Sequence, residues 1–257
     1  MAEQITSREN DRVKYARRLV ASGTFRAQEG LFFAEGLRLC LDLAETMVPL
    51  EVYYTKEMQQ SHPEVREMAG RHYLVDGSVA QKLAETRTPQ GLFCLFPMPK
   101  AGLESLALEE GVLVCEKLQD PANVGAVLRS AAAFGYAGAI LVQSADPFSP
   151  KALRASMGAV GRMPVVREES IEKVVAYLRE KKLCLYAAAG ADSVPLGALE
   201  VSAPFALLVG NEGTGLSKTA LQAAHRRVGI PMQKGVESLN VAVAASVLMY
   251  RMRENRM

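Results

Sequence analysis

The C-terminal part of this chain alternates short apolar runs with helical segments, and this alternation restricts the possible folds more than any other feature. Six runs have the length and residue types of buried strands, at 112–116, 139–142, 165–167, 183–188, 205–209 and 227–230. Strands that alternate with helices form a parallel sheet covered on both faces. Ligands of such sheets bind beyond the carboxyl ends of the strands, so the loops after these runs are where a functional site is expected.

A second α/β pattern occupies residues 1–97, with short strand-like runs at 31–33, 52–54, 73–75 and 92–96. A chain of 257 residues is long enough for two domains with separate cores. The segment 98–104 follows Pro97 and contains a further proline and a glycine, which suit neither a strand nor a helix interior. We therefore predict a small N-terminal α/β domain, a linker at 98–104 and a parallel-sheet α/β domain at 105–257.

Composition and charge exclude several classes of protein. A formal net charge of +2 is too small to indicate a nucleic-acid-binding protein by itself. The first residues lack a signal-peptide pattern and no apolar stretch is long enough to span a bilayer, so a cytoplasmic protein with no membrane partner is expected. The four cysteines are scattered without CxxC spacing, which favours reduced thiols over a disulfide framework, and no metal site is expected.

Residues 7–20 predict a helix with one apolar face, made of Val13, Ala16, Leu19 and Val20. The basic side chains spread around the rest of this helix. An ordinary solvated face explains them as well as a nucleic-acid contact does.

The first unusual loop, 120–130, follows a strand and continues into a helix. Asn123 stands near its start and Arg129 about two turns further on. Taken alone, an asparagine that caps exposed amides and a surface arginine account for both residues.

The second unusual loop, 207–217, carries Gly210, Gly213 and Gly215, which let the backbone approach a ligand closely. It lacks both the lysine of a P-loop and the spacing of a dinucleotide fingerprint, and Glu212 would repel a phosphate. A ligand with a ribose and a positive centre suits this loop better, with a plain tight turn as the alternative.

The third loop, 229–240, leads into the almost wholly apolar helix 241–249. Pro231 ends the strand, Ser238 is predicted to cap the helix, and Asn240 is predicted to lie in its first turn. A helix that is apolar on all sides must be buried, so this one is expected under the site or in a subunit interface.

These three loops, in this order, resemble motifs 1, 2 and 3 of the SpoU (TrmH) family of RNA ribose 2'-O-methyltransferases, in the SPOUT superfamily. Motif 1 matches Asn123-x-Gly125-x-x-x-Arg129, motif 2 matches 208–216, and motif 3 matches 230–232 with 238–242. The resemblance covers residues 111–253. Residues 7–10, 30–36 and 88–91 are similar to the RNA-substrate-binding domain often attached to these enzymes.

The resemblance implies S-adenosylmethionine as cofactor, a C-terminal parallel sheet tied in a deep trefoil knot, and a homodimer. The cofactor-binding residues that it implies are Leu208, Val209, Gly210, Asn211, Gly215, Ile230, Pro231, Met232, Ser238 and Leu239. Those that it implies in catalysis are Asn123, Arg129, Glu212, Ser238 and Asn240. The expected RNA-binding residues are Arg8, Arg12, Lys14, Arg17, Arg18, Lys151 and Arg154.

By this resemblance Arg129 activates the ribose hydroxyl, either as general base or by stabilising the developing alkoxide. The pKa of a free guanidinium lies above about 12, so both roles stay open. Ribosomal RNA is the expected substrate, with transfer RNA as the alternative. A catalytically silent RNA-binding protein of the same fold is a further alternative, and a nucleotide-dependent oxidoreductase is disfavoured because the GxGxxG loop is missing.

Overall fold

A computed structural model describes residues 2–190, 192–236 and 238–254. The chain forms two compact units. The first comprises the chain up to Pro99 together with Phe148–Gly161, and the second comprises Lys100–Pro147 together with the chain from Arg162 onward. The division at Pro99 falls inside the segment 98–104. The structure differs from the sequence prediction in placing Phe148–Gly161 with the first unit.

The helices and strands follow one another closely in both parts of the chain. Those before the division are β1 (Glu3–Ile5), α1 (Asp11–Ala21), α2 (Gly23–Glu29), β2 (Leu31–Glu35), α3 (Leu37–Ala44), β3 (Glu51–Tyr54), α4 (Lys56–Ser61), a 3₁₀ helix (Pro63–Glu67), β4 (Arg71–Val75), α5 (Gly77–Leu83) and β5 (Leu92–Pro97). Those after it are a 3₁₀ helix (Leu103–Ser105), β6 (Val112–Glu116), α6 (Pro121–Ala133), β7 (Gly138–Val142), α7 (Pro150–Ser156), α8 (Ala159–Arg162), β8 (Val165–Glu168), α9 (Ile171–Glu180), β9 (Cys184–Ala188), β10 (Val194–Pro195), a 3₁₀ helix (Leu196–Ala198), β11 (Phe205–Val209), α10 (Lys218–Ala223), β12 (Arg226–Gly229) and α11 (Val241–Glu254).

The first unit is built on a five-stranded sheet with the order β1-β4-β3-β5-β2, in which β5 runs antiparallel to both of its neighbours. Helix α1 covers this sheet with the predicted face, because Val13, Ala16, Leu19 and Val20 are all buried. The α/β class predicted for this part of the chain is confirmed. Strand β1 was missed, because two of its three residues are exposed and polar and form no apolar run.

The second unit contains a seven-stranded sheet with the order β10-β12-β9-β11-β6-β7-β8, and all its strand pairs are parallel. The six strands predicted from apolar runs are confirmed to within a residue at each end. Central strands β6 and β11 are buried along their whole length. Leu103, inside the segment predicted as a linker, packs into the core of this unit.

Strand order decides which loops meet at the carboxyl edge of the sheet. Strand β11 lies between β6 and β9, and β12 lies on the other side of β9. The loops after β6, β11, β9 and β12 therefore leave neighbouring positions of one edge, since parallel strands all end at the same side. This edge carries all three unusual loops.

Helix α11 packs against α6, where the hydroxyls of Ser130 and Ser246 lie 2.7 Å apart. Its buried face is Ala242, Ala245, Leu248, Met249 and Met252. Val243, Val247 and Tyr250 of this helix are between 41% and 51% exposed in a single copy, so its predicted place in a subunit interface stays a prediction. No helix within the described ranges is long and apolar enough to cross a membrane.

Candidate active site

The loop after β11, residues 210–217, is fixed at both ends to the carboxyl end of β6. Glu116, the last residue of β6, is buried and accepts a hydrogen bond from the Ser217 backbone amide at 2.9 Å. Lys117 follows with a φ of 57°, the left-handed region that non-glycine residues rarely adopt. Its carbonyl accepts a hydrogen bond from Asn211 Nδ2 at 2.8 Å. Motif 2 is thereby held on the strand that leads into motif 1.

Two glycines make the compact turn of this loop possible. The amides of Asn211 and Gly215 donate to each other's carbonyl oxygens, both at 3.0 Å. A Cβ on Gly210 would lie 2.2 Å from the Gly215 carbonyl carbon, which no side chain tolerates. Gly215 itself has a φ of +69°. Only glycine satisfies both positions without distorting the turn.

Side chains from the three motifs form one chain of hydrogen bonds. Asn240 Nδ2 donates to Asn123 Oδ1 at 3.1 Å, and Asn123 Nδ2 donates to Glu212 Oε1 at 3.0 Å. The direction of this chain is fixed at both ends. Asn240 Oδ1 accepts from the amides of Ala242 and Val243, and the Glu212 carboxylate only accepts. Asn123 therefore turns its NH₂ group toward Glu212 and its oxygen toward Asn240.

The Glu212 carboxylate is stabilised in its ionised form. Burial raises its pKa, but hydrogen bonds from Asn123 and from backbone amides, those of Gln119 and Asp120 among them, outweigh burial and hold the pKa below its usual value. The two amide contacts are long, at 3.4 Å each. A negative charge is thus held at the junction of motifs 1 and 2.

The start of α11 differs from the sequence prediction. Asn240 lies at the residue before the helix, and its side chain accepts from the first-turn amides of Ala242 and Val243 at 2.9 and 3.3 Å. Asn240, and not Ser238, is therefore the cap. Asparagine and serine cap equally well, so the sequence contains no signal that separates the two. Ser238 is left exposed in the preceding loop.

A cavity of about 430 Å³ opens at this edge of the sheet. Eight of the ten predicted cofactor-binding residues line it: Val209, Gly210, Asn211, Gly215, Ile230, Met232, Ser238 and Leu239. Glu212 and Asn240 line it as well. Of the other two, Leu208 lies in the hydrophobic core and Pro231 lines a separate apolar cavity.

The sequence analysis missed one wall of this cavity, the segment 188–190 that follows β9. A Cβ on Gly229 would lie 2.2 Å from Ser193 Oγ and 2.9 Å from the Ala189 carbonyl oxygen, so the end of β12 and the loop after β9 approach closely. The only sequence signal for this wall was that Ala189 and Gly190 follow a predicted strand. That signal places them at the cavity only when it is known that β9 lies between β11 and β12.

Arg129 stands apart from the other predicted catalytic residues. It lies on α6, its side chain is exposed, and it does not line the cavity. The structure thus joins Asn123, Glu212 and Asn240 in one network and leaves Arg129 on another part of the surface of the same unit.

Three of the five predicted RNA-binding residues near α1 have carboxylate partners. Arg12 pairs with Glu51 at 2.6 Å, Arg17 with Glu85 at 2.9 Å, and the exposed Lys14 with Glu9 at 3.3 Å. The Arg18 guanidinium lies over the Phe25 ring at 3.9 Å. These contacts favour the solvated-face interpretation of α1. Arg8 is exposed, as are Lys151 and Arg154 on α7 of the first unit.

Comparison with known families identifies both parts of the chain. The model of the SpoU rRNA methylase family matches residues 110–250, more than half of the chain and all three motif loops. The chain belongs to the SpoU rRNA methylase family. Residues 10–94 match the MRM3-like substrate-binding domain.

Several members of this family are similar over most of their length. The 23S rRNA (guanosine(2553)-2'-O)-methyltransferase RlmP of Bacillus subtilis is 31% identical over 98% of this chain and 99% of its own. The mitochondrial rRNA methyltransferase 3 of Homo sapiens is 30% identical over 90% of this chain and 69% of its own.

Solved structures agree with this assignment. An AdoMet-bound rRNA methyltransferase from Sinorhizobium meliloti superposes with a TM-score of 0.89, at 28% identity over 100% of this chain and 99% of that one. A structure described as an RNA 2'-O ribose methyltransferase superposes with a TM-score of 0.85, at 30% identity over 98% and 99% of the two chains.

Proposed function

We propose that this SpoU family protein transfers a methyl group from S-adenosylmethionine to a ribose 2'-hydroxyl of structured RNA, with ribosomal RNA preferred over transfer RNA. One observation carries the proposal: motifs 2 and 3 line a single cavity, and Asn123 of motif 1 is joined to them by the hydrogen bonds from Asn240 through Asn123 to Glu212. The names of the two relatives support ribosomal RNA as the substrate class.

The cavity fits the cofactor. Its volume of about 430 Å³ lies within the range of about 300–1,000 Å³ typical of small-molecule sites. Its walls are backbone and apolar side chains, including Val209, Ile230 and Leu239, and Gly210 and Gly229 keep two of these walls free of Cβ atoms. S-adenosylmethionine, when bound, supplies a methyl group activated by a positive sulfur. Glu212 at the rim favours such a positive ligand and disfavours the phosphates of a nicotinamide dinucleotide.

The chain must orient and activate the ribose oxygen, because the pKa of a ribose hydroxyl lies far above neutrality. We assign Arg129 to stabilising the negative charge that develops on that oxygen. Its side chain is exposed, and a guanidinium offers a positive charge and several N–H donors to a developing alkoxide. We propose that four polar residues order the site: Asn123, Glu212, Ser238 and Asn240. Leu208 and Pro231 do not line the cavity, and we propose that they support its wall from behind.

We further propose that the protein is a homodimer joined through α11. Val243, Val247 and Tyr250 form an exposed apolar stripe at i, i+4 and i+7, and Tyr250 packs edge-on against Phe134 with ring centroids 5.6 Å apart. Exposed apolar patches of this kind mark interfaces. We also propose the deep trefoil knot, on the likeness of the chain to SpoU methyltransferases.

The expected RNA contacts Arg8, Lys151 and Arg154 remain proposals, because their side chains are exposed. Arg12, Arg17, Arg18 and Lys14 are weaker candidates, because their contacts within the domain would have to be given up. The absence of a metal from the reaction and a cytoplasmic location stay predictions.

A methyl-transfer assay tests the reaction. Wild-type protein, S-adenosylmethionine with a labelled methyl group, and unmodified ribosomal RNA are expected to give label on a ribose oxygen, identified by nucleoside mass spectrometry. Transfer RNA is expected to take up less label. Arg129→Ala is expected to lose transfer while its cofactor affinity, measured by calorimetry, stays at the wild-type value. Cofactor and RNA binding without any transfer would instead indicate a catalytically silent RNA-binding protein.

A further inference from the structure

The first unit contains a cavity of about 450 Å³ that none of the motifs explains. It is lined by Arg66 of the 3₁₀ helix, by Arg71 and His72 of β4, and by Tyr54 of β3. Two guanidinium groups, an imidazole and a tyrosine thus border one concave surface. We call it the Arg66–Arg71 cavity.

The chain forms this cavity through a turn that requires glycine. Gly70, directly before β4, has a φ of +103°. A Cβ there would lie 2.6 Å from the Pro49 carbonyl oxygen and 3.0 Å from the Leu50 backbone. Strand β4 can begin at Arg71 beside β3 only because this position has no side chain.

Both arginines of the cavity are exposed and available to a ligand. Within the described ranges, neither guanidinium takes part in an ion pair or a hydrogen bond. Three basic residues of α1, in contrast, pair with carboxylates of the same unit. The first unit therefore offers unpaired positive charge at this cavity, whereas three of the four basic residues of α1 are paired with carboxylates.

The hydrogen bond of His72 determines which ring nitrogen carries a proton. Nε2 lies 2.8 Å from the Met68 carbonyl oxygen, which only accepts, so Nε2 carries a proton. In the neutral ring Nδ1 is then an acceptor, able to take a hydrogen bond from a ribose 2'-hydroxyl. That hydroxyl distinguishes RNA from DNA.

The charge of Glu3 and the burial of the two tyrosines favour a ligand with a single phosphate group. Glu3 also lines the cavity and leaves its charged side chains with one net positive charge, which suits a phosphodiester better than a nucleoside triphosphate. Tyr54 and Tyr73 are only 3% and 2% exposed, so their faces cannot serve as stacking platforms for bases. The cavity therefore has contacts for the sugar-phosphate backbone, and its tyrosines offer no face on which a base could stack.

We propose that the Arg66–Arg71 cavity binds one phosphodiester and the adjoining ribose of the RNA substrate, and so contributes affinity that does not depend on sequence. This inference rests on the proposed function only in taking RNA as the ligand.

The test is RNA binding by the full-length chain carrying Arg66→Gln and Arg71→Gln together. The probe is a fluorescein-labelled RNA hairpin, measured by anisotropy over a range of salt concentrations. Loss of one phosphate contact is expected to reduce the salt slope, log Kd against log salt, by about 1 and to weaken binding about tenfold. A second hairpin of unrelated sequence is expected to show the same loss.

A charge-matched control carries Lys56→Gln and Lys82→Gln, on helices α4 and α5 of the same unit and outside the lining of the cavity. It is expected to change the slope much less. Equal slopes for wild type and the arginine variant, or an equal loss in the control, would overturn the inference. Thermal unfolding of each variant, expected at the wild-type temperature, verifies folding, and Arg66→Lys with Arg71→Lys is expected to retain most of the affinity.

The hairpin-binding assay does not depend on methyl transfer. A failure of the proposed RNA-binding cavity can therefore be distinguished from a failure of the proposed methyltransferase function. Absence of transfer by the wild-type protein would count against the proposed function and would leave the hairpin measurement intact. In the transfer assay itself, the arginine variant is expected to show a raised KM for RNA at an unchanged kcat.

Discussion

Replacing Asn123 by aspartate removes one hydrogen bond of the motif network and places two carboxylates against each other in a side chain of nearly the same shape. Asn123 Nδ2 lies 3.0 Å from Glu212 Oε1, so Asn123→Asp turns a donor into a second carboxylate oxygen at that distance. The bond on the other side survives, because Asn240 Nδ2 still finds an acceptor. The substitution therefore tests the link between motifs 1 and 2 alone.

The size of the effect follows from the distance. Two unit charges 3.0 Å apart repel by about 1.4 kcal/mol at the dielectric constant of water and by about 5.5 kcal/mol at an effective value of 20. Glu212 is exposed, so screening favours the lower figure. With the lost hydrogen bond to a charged group, worth about 1.5 kcal/mol, the joined arrangement is disfavoured by about 3 kcal/mol. The affinity for S-adenosylmethionine is expected to fall by up to about 100-fold.

Calorimetric titration of Asn123→Asp with S-adenosylmethionine measures this loss. Adding Glu212→Gln is expected to restore most of the affinity, because a glutamine amide can donate to the new carboxylate. Comparing both single variants with the double variant isolates the pairwise energy. The deficit of Asn123→Asp is also expected to shrink as salt is added. Wild-type affinity in Asn123→Asp, or a deficit that Glu212→Gln leaves unchanged, would refute the reasoning.

Three further predictions follow from the same edge of the sheet. Gly210→Ala is expected to abolish cofactor binding in calorimetry while the first unit stays folded by limited proteolysis, because the new Cβ meets backbone at 2.2 Å. Mixing Gly210→Ala with Arg129→Ala chains is expected to regain activity that neither has alone, if Arg129 serves the site of a second copy. The pKa of Glu212 is lowered, so its contribution to stability is present above its unfolded pKa of about 4.3 and is lost as pH falls through the lower folded value. The free energies of unfolding of the wild type and of Glu212→Gln, measured in urea, are expected to become equal as the pH falls through that range.

The parallel sheet could be predicted from the sequence because its strands carry their own signal. Strands buried on both faces are continuous apolar runs, as at Phe205–Val209, and such runs are visible without a structure. Strand β10 has no such run, since it consists only of Val194 and Pro195. The cap of α11 was assigned two residues too early, because the choice between Ser238 and Asn240 depends on Asn123, more than a hundred residues away.

Contacts between distant residues account for the remaining differences. Nothing near Arg12 or Arg17 in the sequence indicates that Glu51 and Glu85 lie beside them in the sheet unit. The basic helix could therefore not be separated from a nucleic-acid contact by pattern alone. The cavity residues that belong to a motif could be predicted from the sequence. The wall formed by the segment after β9 belongs to no motif and could not be predicted.

The spacing within motif 1 bears on how the site is completed. Asn123 and Arg129 lie six residues apart on α6, which places them about 9 Å apart along the helix axis and about 120° apart around it. Of the two side chains, only Asn123 joins the hydrogen-bond network beside the cavity, and neither lines the cavity itself. If Arg129 acts on the ribose, the hydroxyl must approach from another face of α6, or the arginine must serve a second copy. The exposed stripe Val243, Val247 and Tyr250 lies on α11, which packs against α6, the helix that carries Arg129. The mixed-subunit experiment therefore tests two proposals together. One is that two copies of the chain associate, and the other is that Arg129 acts at the site of the other copy.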